Sequence, residues 1–400
     1  MRSFNAALAL LLSSTVASPL FAQAPAAQPA QATVKPSKNA HKPILDLQTA
    51  VTAGDQAAIA EKLSAAKAVA STKEDRYLIA QLQLKSALAR KDYGNASSAI
   101  GDMRSSGYLP DARIGELYRA VGVEAYNAKQ FDQASTMLET ASSIDPQNLE
   151  STTLLAEARV AQGRKQEGLA LLQNAIKARV AAGQKPQEVV YKRAVQLAYD
   201  ARLPAAADLS RDWLAAYPSK DSWRNSVAIY RNLHKPDTEG TLALMRLLRA
   251  AGALNAASDM AIYVSALSDQ YNYIEAQTAL DQAIAANAGD AQLKNLAASL
   301  QSKDRPTAAD LAQAAKSASS GNALLRVGDR YYGLGEYAKA AEIYRQVAAK
   351  GVDGNVANLH LGMALAAAGD KAGATTAFNA VTGAHAGAAK YWLLYLQGRS

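Results

Sequence analysis

From Leu45 onward, apolar residues recur at i, i+3, i+4 and i+7 in pairs of short segments, and no stretch alternates as a β-strand does. The pattern predicts helices throughout, arranged as successive hairpins. The clearest copies lie near the C-terminus, where residues 324–347 are repeated in layout by residues 358–381, a shift of 34 positions. Gly328 maps onto Gly362, Gly335 onto Gly369, Ala340 onto Ala374 and Tyr344 onto Phe378. Each slot has a physical reason. Gly328 and Gly362 let the two helices of a hairpin approach closely. Gly335 and Gly369 end the first helix, where the chain must reverse through a conformation that favours glycine. Ala340 and Ala374 belong at the tightest crossing, and Tyr344 and Phe378 fill the space left between hairpins.

The same template fits upstream. Residues 115–148 supply Tyr118, Gly122, Phe131, Ala134, Leu138, Ala141 and the closing Asp145-Pro146, and residues 149–182 supply Leu155, Gly163, Gly168, Leu172 and Ala175. Residues 187–220 and 257–290 keep most of the pattern. Weaker copies cover about 40–73 and 77–110, and two more, 221–256 and 289–320, retain only helix-pair periodicity. Ten units between residues 40 and 388 average about 35 residues each. This step and residue order resemble the tetratricopeptide repeat, a helix–turn–helix unit. The resemblance implies an all-α, right-handed superhelical solenoid of about ten such helix pairs over residues 44–388, with residues 389–400 forming a capping helix and tail.

The N-terminus reads differently. Arg2, the apolar run from Ala6 to Ala17, Pro19 and small residues at Ala22 and Ala24 form a secretory signal pattern, so residues 1–22 are expected to be removed on export to a bacterial periplasm. Four of the chain's twelve prolines fall between residues 23 and 43, which predicts a disordered Ala/Pro/Gln-rich tether. No other segment is long and apolar enough to span a membrane.

Composition narrows the chemistry. The 400 residues include no cysteine, which excludes disulfides, thiolate metal sites and thiol catalysis, and the four histidines are too scattered to form a metal site. No nucleophile elbow, phosphate loop or zinc-protease motif occurs. Ser64-Ala-Ala-Lys67 matches one element of penicillin-binding enzymes, but its companion motifs are missing. His360, between Leu359 and Leu361, reads as a helix-surface residue. No cofactor and no enzymatic activity are expected. The sequence pI near 9.3 raises nucleic-acid binding, yet no binding motif accompanies it.

What remains is binding. In a stack of helix pairs the first helices line the concave side, and residues that the repeat's own contacts leave unused are the candidates: Arg119, Tyr126, Glu157, Tyr191, Tyr199, Asp329 and Tyr332, with Val123, Glu150, Thr153, Val195 and Asn322 beside them. Tyrosine suits such a surface because it combines apolar area with one polar tip. The Lys/Asn/Arg arrangement with which some members of the family clamp a C-terminal carboxylate is not found. Residues 159–249 hold sixteen Lys or Arg against eight Asp or Glu, whereas residues 257–290 hold five acids and no Lys or Arg. That polarity is a candidate for steering a partner. The expected function is a non-catalytic scaffold that binds a protein or peptide in the groove, with an accessory role in polysaccharide export, through an anionic glycan, as the second reading.

Overall fold

The computed structural model describes residues 34–286 and 289–398, so the expected signal peptide and residues 23–33 of the expected tether lie outside the described residues. Two compact units divide the chain, one ending at Leu197 and the other beginning at Ala198. Among the described residues all regular structure is helical.

The first unit contains α1 (His41–Ala53), α2 (Gln56–Val69), α3 (Lys73–Ala89), α4 (Tyr93–Ser106), α5 (Asp111–Asn127), α6 (Phe131–Ile144), α7 (Leu149–Ala161) and α8 (Lys165–Ala181); α9 (Glu188–Asp200) runs across the division. Neighbouring helices α1 to α8 pack in chain order, and first helices also touch first helices, α1 against α3 and α5 against α7. That is the contact pattern of a stack in which each hairpin covers its neighbour's apolar face. Its core follows the expected slots: Ala134, Leu138 and Ala141 are buried.

The tether ends sooner than its proline content implies. Ser37 donates from its backbone N–H and its hydroxyl to the Asp75 carboxylate, at 2.7 and 2.8 Å. Asp75 is fully buried and also accepts from the backbone of Ser71 and Thr72, both at 3.1 Å. Burial pushes the Asp75 pKa up, but the donors from Ser37, Ser71 and Thr72 outweigh it and hold the carboxylate ionised. Ala40 is already inside the core and α1 begins at His41, so residues 37–43 belong to the first unit. Prolines 36 and 43 fit because one precedes the helix and the other lies in its first turn, where no backbone donor is lost.

The second unit contains α10 (Ala205–Ala216), α11 (Lys220–His234), α12 (Thr238–Ala250), α13 (Ala257–Asp269), α14 (Tyr273–Ala286), α15 (Ala291–Leu300), α16 (Ala308–Ser317), α17 (Gly321–Gly333), α18 (Tyr337–Val347), α19 (Gly354–Ala368), α20 (Lys371–Asn379) and α21 (Ala386–Gln397). The two clearest sequence copies become α17–α18 and α19–α20. A Cβ on Gly328 would stand 2.5 Å from the Tyr344 ring, and one on Gly362 would stand 2.6 Å from the Phe378 ring, so each glycine makes room for an aromatic of its own hairpin. Gly335 and Gly369 turn the chain with φ of 79° and 87°. Ala340 and Ala374 have no exposed surface. Ala340→Leu or Ala374→Leu is expected to lower stability by about 1–3 kcal/mol through overpacking, read as a lower urea midpoint at unchanged slope. An unchanged midpoint removes these crossings from the account.

Two features depart from a simple stack. In the window 289–320, α15 packs against α13 and α14, whereas α16 packs against α17, so the weak copy is shared between its neighbours. The final helix is also more than an end cap. α21 packs against α20 and returns to α12, where Trp392 donates its indole N–H to the Ala243 carbonyl at 3.0 Å. Tyr391 places its hydroxyl between Ser226 Oγ, at 2.9 Å, and Ser210 Oγ, at 3.4 Å. α12 also meets α19. One continuous core therefore joins residues from Ala207 to Leu396, and distant hairpins of this unit share it. The reason is visible in α12 itself: Leu242, Ala243, Leu244, Met245, Leu247 and Leu248 are buried all round the helix, which therefore needs partners on every side.

Candidate functional site

In the first unit, the wall made by α5, α7 and α9 carries a strip of half-exposed polar and aromatic side chains. Arg119 on α5 pairs with Glu150 on α7 at 2.9 Å. Farther along, Glu157 on α7 pairs with Arg193 on α9, with Nη2–Oε2 at 2.6 Å. Tyr126 on α5 lies close enough to feel both charges. Burial raises its phenol pKa, the Glu157 carboxylate adds to the rise, and Arg193 opposes it. One side of the Tyr126 ring rests on Phe131, with centroids 5.5 Å apart, and the ring covers the edge of the core. The wall thus presents two ion pairs between helices, with an aromatic ring beside the second. Such a surface is polar without carrying a large net charge, and the bidentate Glu157–Arg193 pair between helices holds those two side chains in place.

The seven sequence candidates fall into three groups. Arg119, Tyr126 and Glu157 come together on this wall, and Arg193, which sequence reasoning missed, joins them. Its signal was present in the spacing, since Glu157 and Arg193 lie 36 residues apart, close to one repeat. Tyr199 is half-buried and accepts from the Asn232 side chain at 3.0 Å within the second unit. The other three expectations are corrected. Tyr191 is 3% exposed, Asp329 2% and Tyr332 8%, so none of them offers a free binding surface.

Asp329 and Tyr332 instead belong to a buried polar cluster at the centre of the second unit. Arg246 of α12 donates from Nε and Nη2 to the two Glu275 carboxylate oxygens at 2.9 and 2.6 Å, and from Nη2 to Asp329 Oδ1 at 3.2 Å. Its guanidinium lies 4.2 Å from the Tyr332 ring centroid, a close cation–π contact. Tyr263 donates to Glu275 at 2.5 Å, Asn272 to Glu275 at 2.7 Å, and Tyr344 to Asp329 at 2.8 Å. His360 of α19 closes the set: Nδ1 faces Asp329 at 3.0 Å and Nε2 faces Glu239 at 2.7 Å. The sequence expectation for His360 as a surface residue is therefore corrected, because the helix that carries it lies against α12 and the residue has no exposed surface.

Burial alone would lower the His360 pKa, but the Asp329 and Glu239 carboxylates on its two sides overrule it and hold it up at about 9. Burial likewise works to raise the Asp329 pKa, and His360, Arg246 and Tyr344 reverse that and hold it at about 2. At neutral pH both ring nitrogens of His360 are donors, each with a carboxylate to receive its proton. The cluster ties α12, α13, α14, α17, α18 and α19 together. Among the described residues no group of His, Asp or Glu side chains is arranged to hold a metal ion.

The charge blocks seen in the sequence meet at two ion pairs. Arg224 pairs with Asp259 at 2.7 Å and Arg246 with Glu275, so two of the basic residues and two of the five acids are paired with each other inside the second unit.

The tetratricopeptide repeat family model matches residues 125–182, from the end of α5 through α8. No protein of curated function matches the chain. Among solved structures, a Naa15/Naa10 complex bound to HypK-THB shares 13% identity over 89% of this chain with a TM-score of 0.40, and the match covers 60% of that longer chain. A tetratricopeptide repeat protein from Parabacteroides merdae shares 13% identity over 72% of this chain and 99% of its own, with a TM-score of 0.30. The TPR2AB domain of yeast Sti1 in complex with pHSP90 shares 13% identity over 72% of this chain and 99% of its own, with a TM-score of 0.27. The family match contains Tyr126, Glu150 and Glu157 and leaves Arg119 and Arg193 outside, so it covers the middle of the wall of α5, α7 and α9.

Proposed function

We propose that the protein is a non-catalytic interaction scaffold of the bacterial cell envelope, holding a protein or peptide partner along the wall of α5, α7 and α9. The observation that carries this reading is the strip formed by Arg119–Glu150, Tyr126 and Glu157–Arg193 on successive first helices. Tyr and Arg are the residues that most often dominate binding energy, and here packing and ion pairs already hold them in one geometry. Little further side-chain ordering is then required when a partner docks. Export is supported by the N-terminal signal pattern, and among the described residues no helix is long and apolar enough to cross a membrane.

The test is affinity capture from periplasmic extract with the mature chain and with an Arg119→Ala/Tyr126→Ala pair of substitutions. A partner held by the unaltered wall should be retained at least about tenfold less well by the double variant. Because Tyr126 is half-buried, its truncation should also lower stability by about 1–2 kcal/mol, whereas Tyr126→Phe should leave melting in place and isolate the role of the hydroxyl. Equal retention by both proteins refutes this wall as the binding surface. An N-terminus that still begins at Met1 in cell extracts refutes export.

A further inference from the structure

Separate from that wall, the second unit has a cleft of about 590 Å³ lined by the start of α10, the end of α11, the α11–α12 connection and the start of α21. Its charged lining residues are Arg211, Lys235, Lys390, Asp208 and Asp237, together with His234. Both acids are already engaged. Asp208 pairs with Arg211. Asp237 accepts from the Gly240 backbone N–H at 2.8 Å, which caps α12, and faces His385 Nε2 at 3.0 Å. Lys235 and Lys390 are exposed and have no ion-pair partner among the described residues, so the free charge of the cleft is positive. The His234 ring is exposed and stacks on the buried Tyr230 ring, with centroids 4.5 Å apart and planes 25° from parallel. Gly383, Ala384 and Gly387 form the opposite lip, where no side chain caps the first turn of α21.

We propose that this cleft binds a small phosphorylated ligand of the sugar-phosphate or nucleoside-phosphate kind, its phosphate between Lys235 and Lys390 and its ring on His234. Two lysines act as point charges on an oxyanion. The volume exceeds what a bare phosphate needs and lies within the ~300–1,000 Å³ typical of small-molecule sites. The planar His234–Tyr230 pair gives a ring the stacking surface that an inorganic anion would not use.

The full mature chain would be titrated at low ionic strength with adenosine 5′-monophosphate, glucose 6-phosphate, inorganic phosphate and hexaglutamate, followed by ³¹P NMR and calorimetry. The two esters should bind saturably and more tightly than inorganic phosphate. Lys235→Gln/Lys390→Gln should weaken them at least tenfold with melting unchanged, since both side chains are exposed. His234→Ala should weaken the esters severalfold and leave inorganic phosphate as it was. Absence of saturable binding, binding indifferent to the double substitution, or hexaglutamate binding as tightly as the esters would each overturn the assignment.

Discussion

Arg246→Ala is expected to destabilise the second unit by about 3–5 kcal/mol, the usual consequence of removing one partner from a buried ion pair. Arg246 is 2% exposed, and its loss leaves Glu275 and Asp329 facing each other without a cation between them. The substitution also removes the guanidinium packed on Tyr332. By contrast, Arg164→Ala breaks a pair with Glu167 in which both side chains are more than two-fifths exposed, and should matter little. The three tryptophans, Trp213, Trp223 and Trp392, all lie beyond the division at Ala198, so their fluorescence reports the second unit alone. The Arg246→Ala fluorescence transition should move far toward low urea while part of the far-ultraviolet circular dichroism signal persists as the first unit. A fluorescence midpoint unchanged from that of the natural chain would show that the cluster contributes nothing to stability.

The second large effect is a loss of stability in mild alkali. His360 is held at about 9 in the folded chain against 6.5 as its ordinary value, so its contribution is complete below pH 6.5 and disappears as pH rises through 9. The shift corresponds to an order of 2–4 kcal/mol. On the acid side the sign reverses: Asp329, held at about 2 against 3.8, contributes fully above pH 3.8 and loses that contribution as pH falls toward 2. The groups facing His360 are Asp329, Glu239, Tyr344 and, through Asp329, Arg246. Burial pushes the Tyr344 phenol well up, and the Asp329 carboxylate beside it adds to that, so it does not titrate in this range. The tryptophan-reported melting temperature should therefore be flat between about pH 4 and 6.5 and fall between 6.5 and 9. His360→Gln should be less stable at pH 6 and should lose most of that alkaline slope. Parallel slopes in the two proteins would place the titrating group elsewhere.

Much of the fold was legible because a helix pair writes its contacts within a few dozen residues. Gly328 and Gly362 could be read as close approaches from their register alone, and the Tyr344 and Phe378 rings lie against them. Part of the candidate wall was legible for the same reason, since Arg119, Tyr126 and Glu157 sit on the face that hairpin contacts do not use. Asp329 and Tyr332 occupy comparable helical positions and are nonetheless buried, because Arg246, more than eighty positions away in the chain, packs on both of them. Arg246 did carry a local signal, as the one charge within Leu242–Leu248, a run apolar on every helical face. An arginine in such a run is either expelled or fully paired.

Periodicity and small-residue spacing, which are local and repeat at one stride, are enough to specify helices, hairpins, their turns and the order in which neighbours stack. They do not specify closure. Whether α21 comes back to α12 depends on a small rotation added at every step, and no single residue encodes the total. Once that return is made, His360 meets Glu239 across 121 positions and Trp392 meets Ala243 across 149, converting expected surface into core and expected ligands into a buried electrostatic lock.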